Sequence, residues 1–114
     1  MMTKEVNGWT KDKIRNLLVK SDVAVERAIL RVYDKQTRSE QIRQATTEYN
    51  GVGFTGFDAK MFCSFAQWLT RRPGNHLTPK QLAYARKLDR RGNSRIGKYA
   101  GQLLKIMEED LATQ

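Results

Sequence analysis

The spacing of apolar residues constrains the fold of this chain more than any other feature of its sequence. Near the C-terminus they recur at intervals of three and four, at Ile96, Ala100, Leu103, Met107 and Leu111. This is the spacing of one face of an α-helix. No segment alternates apolar and polar residues for long enough to predict a sheet, and the best strand candidate is the short piece 51–54. The pattern predicts an all-α fold, a compact bundle of five or six short helices in a single domain.

Capping signals mark the expected helix boundaries. The strongest signal begins at Thr78, where an N-cap residue is followed by Pro79 at the first helical position and by Gln81, the partner of a capping box. Further N-cap candidates are Thr10, Ser21 and Ser94. With the apolar spacing, these signals predict helices over residues 11–20, 22–36, 39–49, 56–70, 79–89 and 95–111.

The length of 114 residues suits one domain with a modest core. We expect a flexible arm over residues 1–9, one helical domain over residues 10–111 and a frayed tail over residues 112–114. The mean hydropathy is −0.66 and no run of about 18 apolar residues occurs. The N-terminal residues lack the apolar core of a signal peptide. We therefore expect a cytoplasmic protein that does not enter a membrane.

The residues that usually carry catalysis or bind metals are scarce. Cys63 is the lone cysteine and lies in an apolar helical pattern, which indicates a small core residue. His76 is the lone histidine, in a Gly-Asn-His loop that favours the surface. The sequence offers no zinc ligand set and no catalytic triad, so we predict no catalytic residues, no metal, no cofactor and no enzymatic activity.

The positive charge of the chain is concentrated in residues 71–105, which we call the basic stretch. It holds ten Lys or Arg residues against a single acid, Asp89, for a net charge of +9. The other 79 residues carry eleven basic and eleven acidic side chains, which cancel. A polyanion would therefore be drawn to the basic stretch first.

Nine residues of the basic stretch are predicted to bind nucleic acid. On the helix over residues 79–89, Leu82, Ala85 and Leu88 share the face expected to pack inward. Tyr84 lies on the opposite face among basic residues, where its ring could stack on a base. The predicted contacts are Arg71, Arg72, Lys80, Tyr84, Lys87, Arg90, Arg91, Arg95 and Lys98. The alternatives are a solvated basic face without a ligand and a surface for an acidic protein.

Two familiar motifs do not fit. Gly51, Gly53 and Gly56 spell the dinucleotide fingerprint G-x-G-x-x-G, but the preceding residues are polar and helical in pattern, and no acid stands about 20 positions later. These glycines indicate a tight bend instead. A helix-turn-helix needs a turn of about three or four residues, whereas about eight join the helices over 56–70 and 79–89. Contacts to the phosphate backbone, without sequence readout, are therefore favoured.

About half of the chain resembles a short module of phage- and plasmid-borne proteins. The resemblance rests on the runs NGVGFTGFDA, FAQWL, LTPKQLAYARK and KYAGQLLKI, of which the part over residues 78–87 is the most specific. The chain departs from the pattern by inserting residues 90–95, three of which are arginines. The resemblance implies a mobile-element protein linked to replication, single-stranded DNA handling or recombination, and it names no activity.

We therefore expect a nucleic-acid-binding protein of a phage or plasmid, accessory to DNA replication or recombination, with DNA favoured over RNA. The second hypothesis is an interaction protein that inhibits or recruits a host defence or replication enzyme. Trp9, Trp68 or the first two helices could supply its surface.

Overall fold

The computed structural model describes residues 8–35, 54 and 56–112, and for residues 56, 57 and 109–112 it describes the backbone alone. The helices are α1 (Lys11–Lys20), α2 (Asp22–Asp34), α3 (Gly56–Arg71), α4 (Pro79–Arg86) and α5 (Ala100–Ala112), with a 3-10 turn (Ile96–Tyr99) that leads directly into α5. Within these ranges there is no strand, and an isolated antiparallel bridge joins Leu88 and Ser94. The prediction of a compact all-α bundle is confirmed.

Helices α1 to α4 begin where the sequence predicts, whereas α5 begins at Ala100, after the 3-10 turn, rather than at residue 95. At the start of α4, Thr78 Oγ1 accepts a hydrogen bond from the Gln81 amide at 3.2 Å, and Gln81 Oε1 accepts one from the Thr78 amide at 2.8 Å. This reciprocal pair is the predicted capping box. Thr10 and Ser21 each accept from the amide three residues ahead, at 3.3 and 3.2 Å, and so cap α1 and α2. These three helix starts follow from hydrogen bonds between near neighbours in the chain.

Helix α2 lies at the centre of the bundle. It packs against α1, α3, α4, α5 and the 3-10 turn. Val25, Ile29 and Val32, the residues of its inner face, have no exposed surface. Because this one face contacts so many elements, α2 holds the relative positions of the helices that carry the basic stretch.

An aromatic cluster fills the core between α3 and the 3-10 turn. Phe62 on α3 lies with its ring centroid 5.1 Å from that of Phe54 and 6.1 Å from that of Tyr99. The ring of Tyr99 meets that of Phe54 edge to face at 5.4 Å. Cys63, next to Phe62 on α3, is fully buried, as its apolar pattern predicts.

Helix α4 is shorter than predicted. It ends at Arg86 rather than near Asp89, and Lys87 already has extended backbone angles. Leu88 therefore leaves the helix, and the prediction that it packs inward is wrong: its side chain is 64% exposed. The cause is a turn over residues 88–94, in which the Asp89 carboxylate accepts hydrogen bonds from the amides of Arg91 and Asn93 in place of a further helical turn.

Several predicted features lie outside the described residues. These are the helix over residues 39–49, most of the glycine-rich bend, and residues 1–7 of the arm predicted over residues 1–9. Trp9, predicted as the end of that arm, packs against the core and is partly buried. None of the helices in the described ranges has the length and apolar character needed to cross a bilayer.

Candidate nucleic-acid interface

Helix α4 and Lys87, the residue that caps its C-terminus, present two lysines to solvent. Lys80, Ala83 and Lys87 are exposed and follow each other at spacings of three and four. The capping box at Thr78 fixes where this helix starts and hence the direction in which the two lysines point. At a rise of 1.5 Å per residue they stand about 10 Å apart along the axis, close to the length of three phosphate steps on one strand of a duplex.

The chain after α4 forms a compact turn built on Asp89. Its Oδ1 accepts hydrogen bonds from the amides of Arg91 at 2.8 Å and Asn93 at 3.0 Å. Its own amide donates to the Asn93 carbonyl at 2.8 Å, and the Gly92 amide donates to the Asp89 carbonyl at 3.1 Å. Gly92 has φ of +82°, a conformation that favours glycine. We call residues 88–94 the Asp89 turn.

The Asp89 turn exposes Arg90 and Arg91. It is closed at its base by the Arg95 amide, which donates to the Lys87 carbonyl at 3.0 Å. The two arginines therefore project from a turn that directly follows Lys87, the exposed residue just after the end of α4. Four of the predicted contacts, Lys80, Lys87, Arg90 and Arg91, thus follow one another from α4 into the turn.

Asp89 was not among the predicted site residues, although it organises the turn. The backbone hydrogen bond from Asn93 lowers the pKa of its carboxyl below the ordinary value of 3.8, and the amide of Arg91 and the charges of Lys98 and Arg91 add to this. Desolvation acts in the opposite direction. The sequence Asp-Arg-Arg-Gly-Asn contains the signal: an Asp that bonds to following amides, with a glycine three residues on, is typical of turns.

Arg71 and Arg72 lie at the end of α3 and are exposed. The Arg71 guanidinium stands 5.9 Å from the ring centroid of Trp68. Trp68 is itself fixed, because its Nε1 donates to the His76 carbonyl at 3.0 Å and its carbonyl accepts from Asn75 Nδ2 at 2.8 Å. These two arginines therefore stand on a braced connection between α3 and α4.

Arg95 and Lys98 are placed differently from the other predicted cations. Lys98 Nζ lies 2.8 Å from Oδ2 of the buried Asp58, and Arg95 Nη1 lies 3.6 Å from its Oδ1. The Arg95 side chain is only 20% exposed. Both cations lie beside a carboxylate of α3, which neutralises part of their charge, so they are weaker candidates for phosphate contact than the residues of the Asp89 turn.

Tyr84 does not lie on the solvent face that the helical wheel assigned to it. Its ring centroid is 5.8 Å from that of Phe62 and 5.7 Å from that of Phe65, in edge-to-face contacts. The Arg95 guanidinium covers the ring at 4.4 Å from its centroid. Tyr84 is thus a member of the aromatic cluster. The helical wheel misplaced Tyr84 because the face of α4 that packs against the core includes Tyr84 as well as Leu82. Both side chains are partly buried there.

His76 is exposed over most of its side chain, as predicted, but it also has a protein neighbour. Its Nδ1 lies 3.1 Å from Oε1 of Glu26, a buried carboxylate of α2. Glu26 Oε2 accepts from the Leu77 amide at 2.8 Å. Arg86, another cation of the basic stretch, donates from Nε to the Leu18 carbonyl at 3.0 Å and pairs with Asp22 at 2.7 Å. These contacts fix both ends of α4 against α1 and α2.

Comparison with known proteins adds no assignment: no protein-family model, no curated protein and no solved structure matches the chain. The resemblance to the phage and plasmid module stays a prediction. Within the described part of the chain, no three His, Cys, Asp or Glu side chains are grouped as metal ligands would be.

Proposed function

We propose that this chain binds nucleic acid through contacts between its basic stretch and the phosphate backbone. The observation that carries the proposal is the Asp89 turn. The one acid of the basic stretch accepts hydrogen bonds from backbone amides, while Arg90 and Arg91 of the same turn are exposed next to Lys87. An ordered turn that projects two arginines beside a lysine-bearing helix suits a row of phosphates.

The proposed binding does not read base sequence. Helix α4 has eight residues and is separated from α3 by residues 72–78, longer than the turn of a helix-turn-helix. Its exposed side chains are those of Pro79, Lys80 and Ala83 rather than the paired amide or guanidinium groups that recognise base edges. In the mobile-element context that the sequence suggests, the protein would be an accessory to replication or recombination, with DNA as the expected ligand.

The test is a fluorescence-anisotropy titration of labelled single-stranded DNA, duplex DNA and RNA at two salt concentrations. Binding should weaken steeply with salt, with a slope that corresponds to roughly four to eight neutralised phosphates. Replacing Arg90 and Arg91 together by alanine should reduce the slope by about two and the affinity about tenfold or more at low salt.

The matched control removes the same amount of charge elsewhere. Lys20 and Lys60 are exposed on α1 and α3, outside the basic stretch, and their double alanine variant should bind almost as well as the native chain. Circular dichroism should show both variants folded. The proposal fails if the double reversal Lys87→Glu and Arg91→Glu leaves binding to all three nucleic acids intact, or if the native chain binds none of them at low salt.

A further inference from the structure

Both tyrosines of the basic stretch belong to the core rather than to its exposed surface. The whole of residues 71–105 is described, and three of these residues carry aromatic rings: His76, Tyr84 and Tyr99. Tyr99 is 1% exposed and lies in the aromatic cluster. Tyr84 belongs to the same cluster, and the Arg95 guanidinium covers its ring at 4.4 Å from the centroid. Neither tyrosine can meet a base face to face without leaving these contacts.

His76, the third ring, lies at the opposite end of α4 from the Asp89 turn. It comes two residues before Thr78, the N-cap of α4, whereas the turn follows Lys87 at the other end of the helix. Trp68, three residues before the basic stretch, is partly buried against the core, and its Nε1 donates to the His76 carbonyl. The eight residues of α4 give about 12 Å of helix between this end and the turn. A strand lying along the Asp89 turn therefore meets cations there and no ring of the basic stretch.

Proteins that hold single strands usually combine two contributions to affinity. One is a basic surface that follows the phosphate backbone, and the other is a set of aromatic rings that stack on the bases. A stacked base contributes about five- to 150-fold in affinity. The exposed side chains of Lys80, Lys87, Arg90 and Arg91 supply the first contribution. The second is missing beside them, so a single strand would be held there by its phosphates alone.

We infer that this site prefers duplex DNA to single-stranded DNA, an inference that rests on the proposed function. A duplex carries one negative charge per roughly 1.7 Å of its axis, twice the charge density of one strand. A surface that binds through charge without stacking gains more from the denser polyanion.

The fixed positions of the cations favour the same ligand. The capping box at Thr78 sets the start of α4, and the amides of Arg91 and Asn93 hold the Asp89 turn closed. The backbone of a duplex is ordered before it binds. A flexible single strand has to be ordered against these cations, and that ordering lowers its affinity.

The test compares three labelled DNA probes of about 20 nucleotides per strand, longer than the usual site of a domain that binds single strands. They are a duplex, one of its strands alone, and an abasic strand of the same length, which has the phosphates without the bases. In anisotropy titrations at low salt the native chain should bind the duplex at least tenfold more tightly than the single strand. The single strand and the abasic strand should bind within about threefold of each other, because bases add no stacking.

The chain offers two single substitutions at exposed positions as a matched pair. Arg90→Ala should weaken duplex binding about threefold or more and reduce the salt slope by about one. His76→Ala removes the exposed ring of the basic stretch and should leave the affinities for duplex and single strand within about twofold of the native values. Circular dichroism should show both variants folded.

Three results would overturn the duplex preference and leave the proposed function standing. The first is a single strand that binds as tightly as the duplex, and the second is an abasic strand that binds at least fivefold more weakly than the strand with bases. The third is a loss on His76→Ala that affects the single strand alone, since it would place base stacking at the start of α4. If the native chain bound none of the three probes at low salt, the proposed function would fail and the duplex preference with it.

Discussion

Lys98 Nζ lies 2.8 Å from Oδ2 of Asp58, and the Asp58 carboxylate has no exposed surface. The Tyr99 hydroxyl donates to the same oxygen at 2.8 Å. A buried carboxylate of α3 is thus joined to two consecutive residues of the 3-10 turn before α5. This arrangement ties the end of the basic stretch to the aromatic core, which is why Lys98 is less available to a phosphate than Arg90 or Arg91.

We expect Asp58→Asn to destabilise the protein by about 2–4 kcal/mol. The change keeps the shape of the side chain but removes the charge that compensates Lys98 and Arg95, and loss of one partner from a buried ion pair is costly. Thermal unfolding followed by circular dichroism would measure it. The control is Asp12→Asn, because Asp12 is 82% exposed beside Arg15 on α1 and its loss should cost under about 0.5 kcal/mol. Equal effects of the two substitutions would contradict the role of Asp58.

Glu26 should contribute to stability mainly through the Leu77 amide rather than through His76. Glu26→Ala leaves the buried Leu77 N–H without its acceptor and should cost about 1–3 kcal/mol. His76→Ala removes a side chain that is 72% exposed and should cost well under 1 kcal/mol. Urea unfolding of both variants distinguishes the two contacts. A loss on His76→Ala as large as that on Glu26→Ala would assign the stabilisation to the ion pair instead.

The Asp89 turn should loosen in acid. Because the folded-state pKa of Asp89 lies below its ordinary value of 3.8, the stabilisation from its carboxylate is fully present above pH 3.8 and is lost as the pH falls through the lower, folded-state pKa. An NMR titration that follows the amides of Arg91 and Asn93 should show this transition in the native chain. In Asp89→Asn the same amides should not titrate. A midpoint at or above 3.8 would contradict the hydrogen bonds assigned to this carboxylate.

The sequence predicts those parts of the fold that depend on near neighbours. The starts of α1, α2 and α4 follow from Thr10, Ser21 and Thr78, because an N-cap hydrogen bond joins residues three apart. The end of α4 was missed because the Asp89 carboxylate competes with helical hydrogen bonds, and only the folded turn shows which wins. The error at Leu88 follows directly from that missed end.

The candidate site was predictable in composition and less so in geometry. The exposure of Arg90 and Arg91 could be predicted from the sequence, because their neighbours in the chain are charged or polar or glycine. The pairing of Lys98 with Asp58 joins residues forty positions apart, so it depends on how α3 packs against the 3-10 turn. No local pattern encodes that distance.

Tyr84 and Lys87 offer the sharpest test of how α4 is oriented. Tyr84 packs against Phe62 and Phe65, so Tyr84→Leu should cost about 1–3 kcal/mol of stability through lost ring contacts and leave nucleic-acid affinity unchanged. Lys87→Ala should show the opposite pattern: little change in stability, weaker binding and a salt slope smaller by about one. Thermal unfolding and anisotropy titration on both variants provide the comparison. If Tyr84 stacked on a base, its substitution would instead weaken binding by about 1–3 kcal/mol, which is five- to 150-fold. That result would contradict the packing of the Tyr84 ring against Phe62 and Phe65.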